Sequence, residues 1–182
     1  MKLRIQSLLL LMTFAAAIFS CSDDDDDKKP SNEYVFNGKK IAPKAIYFSD
    51  NTHEDGGGFD FWFSPGEGDE PFDEELPEFI WIEIPKERMG TKFELTEEDP
   101  YNWSWWIEVA IAEGELFYEG FGGEGQMEDV KSGTISTTVN GDNKFAITLD
   151  IVFTDGKTLK LNYSGEMVNA GDRDSRKSTS IQ

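Results

Sequence analysis

Aromatic residues are concentrated in one part of the chain, where their types and spacing suit carbohydrate binding. All five tryptophans lie between Trp62 and Trp106, and the run Tyr101-Asn102-Trp103-Ser104-Trp105-Trp106 places four aromatic rings in six residues. Side chains alternate between the two faces of a strand, so Trp103 and Trp105 would point to one face and Trp106 to the other. Indoles exposed on one of these faces would offer a large rigid apolar surface with a polar edge, which suits stacking on sugar rings. The candidate ligand-binding residues are Tyr101, Trp103, Trp105, Trp106 and Trp62.

The same rings have a second interpretation. Large aromatic side chains are highly buried on average, so these rings could fill a core or cover the mouth of a barrel. The two interpretations differ in whether the ring faces reach solvent.

Residues that could carry catalysis are poorly represented. His53 is the only histidine and lies in an acidic, glycine-rich stretch typical of a loop, so a catalytic triad would depend on this residue alone. A zinc site would lack a second histidine or a free thiolate. Gly156-Lys157-Thr158 resembles the end of a phosphate-binding loop, but Ile151 stands where that motif needs glycine. We therefore predict no enzymatic activity, no catalytic residue and no cofactor.

Acidic loops supply the oxygen ligands that calcium prefers, notably residues 66–75 and 97–99. The stretch that begins at Asp50 has the early spacing of an EF-hand loop. Asp55, however, occupies the glycine position, and Phe61 occupies that of the closing glutamate. We predict solvated acidic loops and no metal site.

The amino-terminal segment predicts export and a lipid anchor. Residues 1–4 include a lysine and an arginine, residues 5–19 are predominantly apolar, and a small residue and a cysteine follow. This pattern is typical of a cleaved signal rather than a spanning helix. Ile18-Phe19-Ser20-Cys21 resembles a bacterial lipobox, which implies that acyl chains on Cys21 anchor the protein in the lipid of the outer membrane. A plain secretory signal with an incidental cysteine is the alternative.

An acidic run follows this cysteine directly. Ser22 and the aspartates at 23–27 resemble the export signal of Bacteroidetes-type surface lipoproteins, which implies an anchor on the extracellular side of the outer membrane. Repulsion between like charges also keeps such a segment extended and solvated. A simple spacer on a protein that faces the periplasm is therefore the alternative.

Negative charge is unevenly distributed along the chain. The whole sequence has 36 acidic and 17 basic residues, and residues 50–129 hold 24 acidic against three basic ones. Such a field repels phosphate backbones, so we predict no nucleic-acid partner. Cations, basic proteins and neutral glycans are compatible partners.

Alternation of apolar and polar residues predicts a single all-β domain. The period of two is clearest at 145–153 and 159–163. Asp155-Gly156 between them and Asn37-Gly38 upstream suit hairpin turns. Further candidate strands lie at 34–36, 40–42, 45–49, 59–64, 79–84, 92–95, 105–112, 116–121 and 133–139.

About ten short strands in an antiparallel up-and-down meander predict a calycin-like barrel, which we prefer to a β-sandwich. The predicted organisation is a signal peptide at 1–20, a lipidated cysteine and acidic linker at 21–32, the all-β domain at 33–168 and a disordered tail at 169–182.

The carboxy-terminal strands also carry a resemblance. Gly133-Thr134-Ile135, Asp155-Gly156-Lys157-Thr158 and Asn162-Tyr163-Ser164-Gly165, together with residues 90–96, are similar to the closing strands of small uncharacterised Bacteroidetes lipoproteins. The resemblance implies an all-β domain and a surface location, and it implies no catalytic residues.

The sequence leaves two alternative functions open. The first is a non-enzymatic surface lipoprotein that binds glycans through an aromatic and acidic face. The second is a structural or interaction lipoprotein that docks an envelope protein through an edge strand or the acidic surface.

Overall fold

The computed structural model describes residues 32–53, 57–66, 78–95, 105–112, 114–122 and 127–171. Backbone in these ranges is predominantly extended, with one turn of 3₁₀ helix at Lys86–Arg88. The all-β prediction is therefore confirmed. The strands are β1 (Glu33–Phe36), β2 (Lys39–Ile41), β3 (Ala45–Asp50), β4 (Gly58–Ser64), β5 (Phe79–Pro85), β6 (Lys92–Glu94), β7 (Trp105–Ile111), β8 (Leu116–Gly122), β9 (Val130–Gly141), β10 (Lys144–Phe153), β11 (Thr158–Glu166) and β12 (Val168–Asn169).

The strands form two six-stranded sheets that share one core. The first sheet has the order β2-β1-β11-β10-β9-β6, and the second has the order β12-β3-β4-β5-β7-β8. Neighbouring strands run antiparallel except β12, which pairs in parallel with β3. This is the arrangement of a β-sandwich.

The barrel that the sequence analysis preferred is not formed by the described strands. A closed barrel needs one continuous ring of paired strands, whereas β8 and β9 follow each other in the chain and belong to different sheets. In addition, β1 pairs with β11 from the other end of the domain. Local alternation identifies strands but carries no information about such distant pairing.

Strands of the first sheet alternate between core and solvent. Along β10, Ile147, Leu149 and Ile151 are buried, while Thr148 and Asp150 point outward. Across the outer surface, Lys160 Nζ on β11 lies 2.7 Å from Asp150 Oδ2. The other outward positions of β9 to β11 are mainly small and polar and include Thr134, Ser136, Asn162 and Ser164.

The core lies between the sheets and consists of aromatic and branched aliphatic side chains. Fully burying one such side chain contributes about 1.5–3 kcal/mol, so this packing is the main source of stability. The largest fully buried residues include Trp105, Phe61, Phe63, Ile80, Ile82 and Ile107 from the second sheet and Tyr34, Phe153, Ile135, Ile147 and Leu149 from the first.

The two predicted hairpin turns differ in detail. Asn37 and Gly38 both have positive φ, at 45° and 83°, and join β1 to β2 as a two-residue turn. Between β10 and β11, the Phe153 N–H donates to Lys157 O at 2.9 Å, and Gly156 has a φ of 85°. This loop is one residue longer than a two-residue turn, while the predicted antiparallel pairing of its strands is confirmed.

After β11 the chain returns to the second sheet. The Met167 N–H donates to Asn143 O, and β12 then pairs with β3. The Ala170 N–H donates to Phe48 O at 2.8 Å. Paired backbone thus continues past residue 169, where the tail was predicted to begin, and residues 172–182 lie outside the described ranges.

The predicted lipid anchor cannot be placed in this fold, because Cys21 and the segments around it lie outside the described residues. Within the described part of the chain, no helix has the length and apolar character needed to cross a membrane.

Candidate functional site

The outer surface of the second sheet is aromatic and acidic, unlike the hydroxyl-rich outer surface of the first. Outward positions on five of its strands carry rings next to carboxylates. We call this surface the outer aromatic face. Its rings are Tyr47, Trp62, Phe79, Trp81, Trp106, Phe117 and Phe121, and its carboxylates are Asp60, Glu83, Glu108 and Glu119.

Strict alternation along β5 creates the centre of this face. Ile80, Ile82 and Ile84 are fully buried between the sheets, and the intervening Trp81 and Glu83 are partly exposed on the opposite side. Isoleucine packs well on a pleated core surface, so these three residues fix which side of β5 faces inward. The indole and the carboxylate must then point outward.

Strand register places rings and carboxylates next to each other. Trp81 lies opposite Glu108 on β7, and Glu83 lies opposite Trp106. On the other side of β5, Glu83 lies opposite Asp60 on β4. Side chains directly opposite on antiparallel strands have Cβ atoms about 4.5–5.5 Å apart. Both central indoles therefore have a carboxylate as a cross-strand neighbour.

Contacts between the rings hold them as a platform. The ring centroids of Trp81 and Trp106 lie 5.4 Å apart with an interplanar angle of 42°. Phe121 meets Trp106 edge-on at 5.7 Å. Trp62 stacks on Phe79 at 4.5 Å. Aromatic pairs contribute about 0.5–1.5 kcal/mol beyond their buried area, so these contacts restrict the movement of the rings.

Hydrogen bonds to Asp60 fix the orientation of Trp81. The indole Nε1 of Trp81 donates to Asp60 Oδ1 at 3.0 Å, and Asn51 Nδ2 donates to Asp60 Oδ2 at 2.5 Å. Ser49 Oγ donates in turn to Asn51 Oδ1 at 3.1 Å. Asp60 is only 8% exposed. It therefore acts within the fold as an anchor for the indole.

Two carboxyl groups on the face are harder to ionise than usual. Burial, together with the neighbouring carboxylate of Asp60, raises the pKa of Glu83 to about 7. Burial and the neighbouring Glu119 also raise the pKa of Glu108. Burial and a neighbouring carboxylate therefore disfavour the ionised form of both groups.

The described part of the face is shallow, with a small depression at its β3 side. The cavity volume of this depression is about 10 Å³, far below the roughly 300–1,000 Å³ of pockets that enclose a small ligand. Its lining includes Tyr47, Asp60, Trp62 and Trp81. A ligand would therefore lie across this surface rather than enter a deep cavity.

The structure separates the predicted site residues. Trp106 lies on the outer aromatic face and is partly exposed. Trp105 is 0% exposed and packs in the core, so its assignment to a binding surface is corrected, because the alternation that turns Trp106 outward turns its neighbour inward. Trp62 lies on the face but is only 8% exposed. Tyr101 and Trp103 lie outside the described residues.

Several residues of the face were not among the predicted ligand-binding residues. A signal for Trp81 and Glu83 existed in the alternation of 79–84, where three isoleucines mark the opposite face. Glu108 follows Trp106 at the spacing of two that keeps both on one side of β7. What the sequence did not reveal is the register that brings these two strands together.

Other candidate chemistry is not assembled in the described part of the chain. His53 is exposed in the segment after β3. No three histidine, cysteine or acidic side chains in the described ranges are grouped so that they could hold a metal ion. Gly156-Lys157-Thr158 belongs to the β10–β11 hairpin. Most of the acidic loops that were considered for calcium lie outside the described residues.

In comparisons with known proteins, no protein family, no curated protein and no solved structure matches the chain. The outer aromatic face is therefore the main structural basis for proposing a function.

Proposed function

We propose that this protein binds glycans through the outer aromatic face without catalysing a reaction, and that acyl chains on Cys21 hold it on the extracellular side of the outer membrane. The surface location is supported by the sequence of residues 1–27. The binding function is supported by the composition and geometry of the second sheet.

The observation that carries the proposal is the pair Trp81 and Trp106, with ring centroids 5.4 Å apart and with Glu83 and Glu108 opposite them. A sugar ring has an apolar C–H surface and a rim of hydroxyl groups. Indoles pack against the apolar surface, and carboxylates accept hydrogen bonds from the hydroxyls. Because all four side chains stand on paired strands, little ordering is required when a ligand binds.

The shape of the face favours binding over hydrolysis. Glycosidases place two carboxyl groups on either side of the scissile bond, about 5–9.5 Å apart. Asp60, Glu83, Glu108 and Glu119 all project from one side of one sheet. A sugar lying on the face would meet these groups from a single side.

A fluorescence titration tests the proposal, since tryptophans form the site. Purified protein is titrated with a panel of neutral and charged oligosaccharides, and at least one should give a saturable change. Replacing one stacking indole, as in Trp81→Ala or Trp106→Ala, should weaken that binding about tenfold or more, which corresponds to about 1.4 kcal/mol. Val139→Ala is the control, because Val139 is 52% exposed and lies on the first sheet. Equal affinities for all four proteins would contradict the proposal.

A panel to which nothing binds would favour the second candidate function, which is docking of an envelope protein. The supporting observation is Phe117, which is 52% exposed on β8 at the edge of the second sheet. An edge strand offers unpaired backbone groups to a partner strand.

The anchor is tested separately by Cys21→Ala. A protein whose only attachment is an acylated cysteine should leave the membrane fraction when that cysteine is replaced. Protease treatment of intact cells should degrade the parent protein if it faces outward. Retention of Cys21→Ala in the outer membrane would contradict the anchor, and protection of the parent protein from protease would contradict the outward orientation.

A further inference from the structure

The strands of the second sheet carry negative charge without any basic residue. They contain five acidic residues and no lysine or arginine, whereas strands of the first sheet contain six lysines and four acidic residues. Ion pairs between described residues occur on the first sheet and in the β10–β11 hairpin, and none includes Glu83, Glu108 or Glu119. Glu83, Glu108 and Glu119 thus lack a cationic partner from these residues.

These carboxylates also lie opposite one another. Asp60 faces Glu83 across β4 and β5, and Glu108 faces Glu119 across β7 and β8. Like charges at directly opposed positions of a sheet are destabilising. A cation bound beside these carboxylates would reduce this repulsion.

Two indoles, each next to one carboxylate of each acidic pair, strengthen the preference for a cation. Trp81 and Trp106 occupy the centre of the face, diagonally across β5 and β7. Tryptophan is the best π-face for an ammonium group, and the attraction increases when the cation is partly desolvated. A cationic group over these rings would have carboxylates within reach on both sides.

We propose that the glycan bound by the outer aromatic face carries protonated amino groups, which lie over Trp81 and Trp106 and pair with Glu83 and Glu108. This inference rests on the proposed glycan-binding function and specifies its ligand class. Apolar sugar surface packs on the rings, and the ammonium groups supply the positive charge that the second sheet lacks. Glycans rich in carboxylate or sulfate groups are disfavoured by the same field.

The test compares two oligosaccharides that differ only at the amino group. N-acetylglucosamine oligomers and the same oligomers after deacetylation are titrated into the purified full-length protein by calorimetry. The pH is about 7, so that Glu83 is partly ionised while the free amines still carry protons. The deacetylated oligomer should bind at least about tenfold more tightly. In the double variant Glu83→Gln, Glu108→Gln this preference should disappear, while Trp106→Ala should weaken binding of both oligomers.

A control variant separates a specific site from general attraction to an acidic protein. Glu33→Gln with Asp150→Asn removes the same number of charges from the first sheet, where both residues are paired with lysines. This variant should keep the full preference for the deacetylated oligomer. Equal loss of preference in the two double variants would overturn the inference.

Two further outcomes distinguish the inference from the proposed function. If both oligomers bind equally tightly and Trp106→Ala weakens them, the amine preference is wrong and glycan binding by the face stands. If neither oligomer binds and no member of the wider panel binds, both proposals are overturned.

Discussion

Asp60 and Glu83 face each other on β4 and β5 but differ in burial and in hydrogen bonding. Asp60 is 8% exposed and accepts hydrogen bonds from Asn51 and Trp81, so it orients the platform. Glu83 is more exposed, and its pKa is raised to about 7. We expect Asp60→Asn to disturb the position of Trp81, because an asparagine keeps only one of the two oxygens that accept these hydrogen bonds.

The raised pKa of Glu83 predicts a pH-dependent cost in stability. In the unfolded chain this carboxyl has its ordinary pKa of 4.5, and in the folded chain burial and Asp60 raise it to about 7. Between these values the folded state holds a proton that the unfolded state has lost, so the contribution of this group to stability falls as pH rises. Above about pH 7 the cost is complete.

Glu83→Gln should remove that cost. Its free energy of unfolding relative to the parent protein should change little at about pH 4 and increase by on the order of 1–2 kcal/mol at about pH 8, after allowance for partial solvent exposure. Urea denaturation at both pH values measures this difference. Asp150→Asn, at a surface ion pair of the first sheet, is the control and should show no such gain. A Glu83→Gln gain that is equal at both pH values would contradict the assignment.

Element by element, the strands and their hairpin neighbours were predictable, whereas pairings between distant segments were not. β5, β10 and β11 follow the alternation of their sequence because each buries one apolar side. The pairing of β1 with β11 depends on segments at opposite ends of the domain, and β12 has only two residues, too few for any pattern. Alternation likewise predicted that Trp105 and Trp106 point to opposite faces of their strand. It could not predict which strands pair with β7, so the neighbours of Trp106 became known only from the structure.

Close packing of β4 against β5 makes Gly58 a sensitive position. A Cβ atom added there would overlap the carbonyl oxygen of Ile84 and lie 2.8 Å from its carbonyl carbon. Backbone cannot move aside as a flexible side chain can, so Gly58→Ala should lower the free energy of unfolding by about 1–3 kcal/mol. Urea denaturation measures this, with the exposed Thr138→Ala as control. Equal free energies of unfolding for Gly58→Ala and the parent protein would contradict the close approach of the two backbones at this position.

At the scale of the whole molecule, the sandwich separates two surfaces with different chemistry. The outer surface of the first sheet combines hydroxyl groups with lysine–carboxylate pairs, and that of the second combines rings with carboxylates. Four strands of this second sheet, β4, β5, β7 and β8, lie within residues 50–129, where the sequence has its acidic excess. Because anionic headgroups repel such a surface, we expect an anchored molecule to turn the outer aromatic face away from the membrane.

The most direct test of the glycan-binding site is a crystal structure of the protein with an oligosaccharide that binds in the titration. Our account predicts a sugar ring stacked on Trp81 and Trp106, with its polar substituents within hydrogen-bonding distance of Glu83 or Glu108. An oligosaccharide bound to the first sheet, or to the β10–β11 hairpin, with the outer aromatic face empty would contradict it.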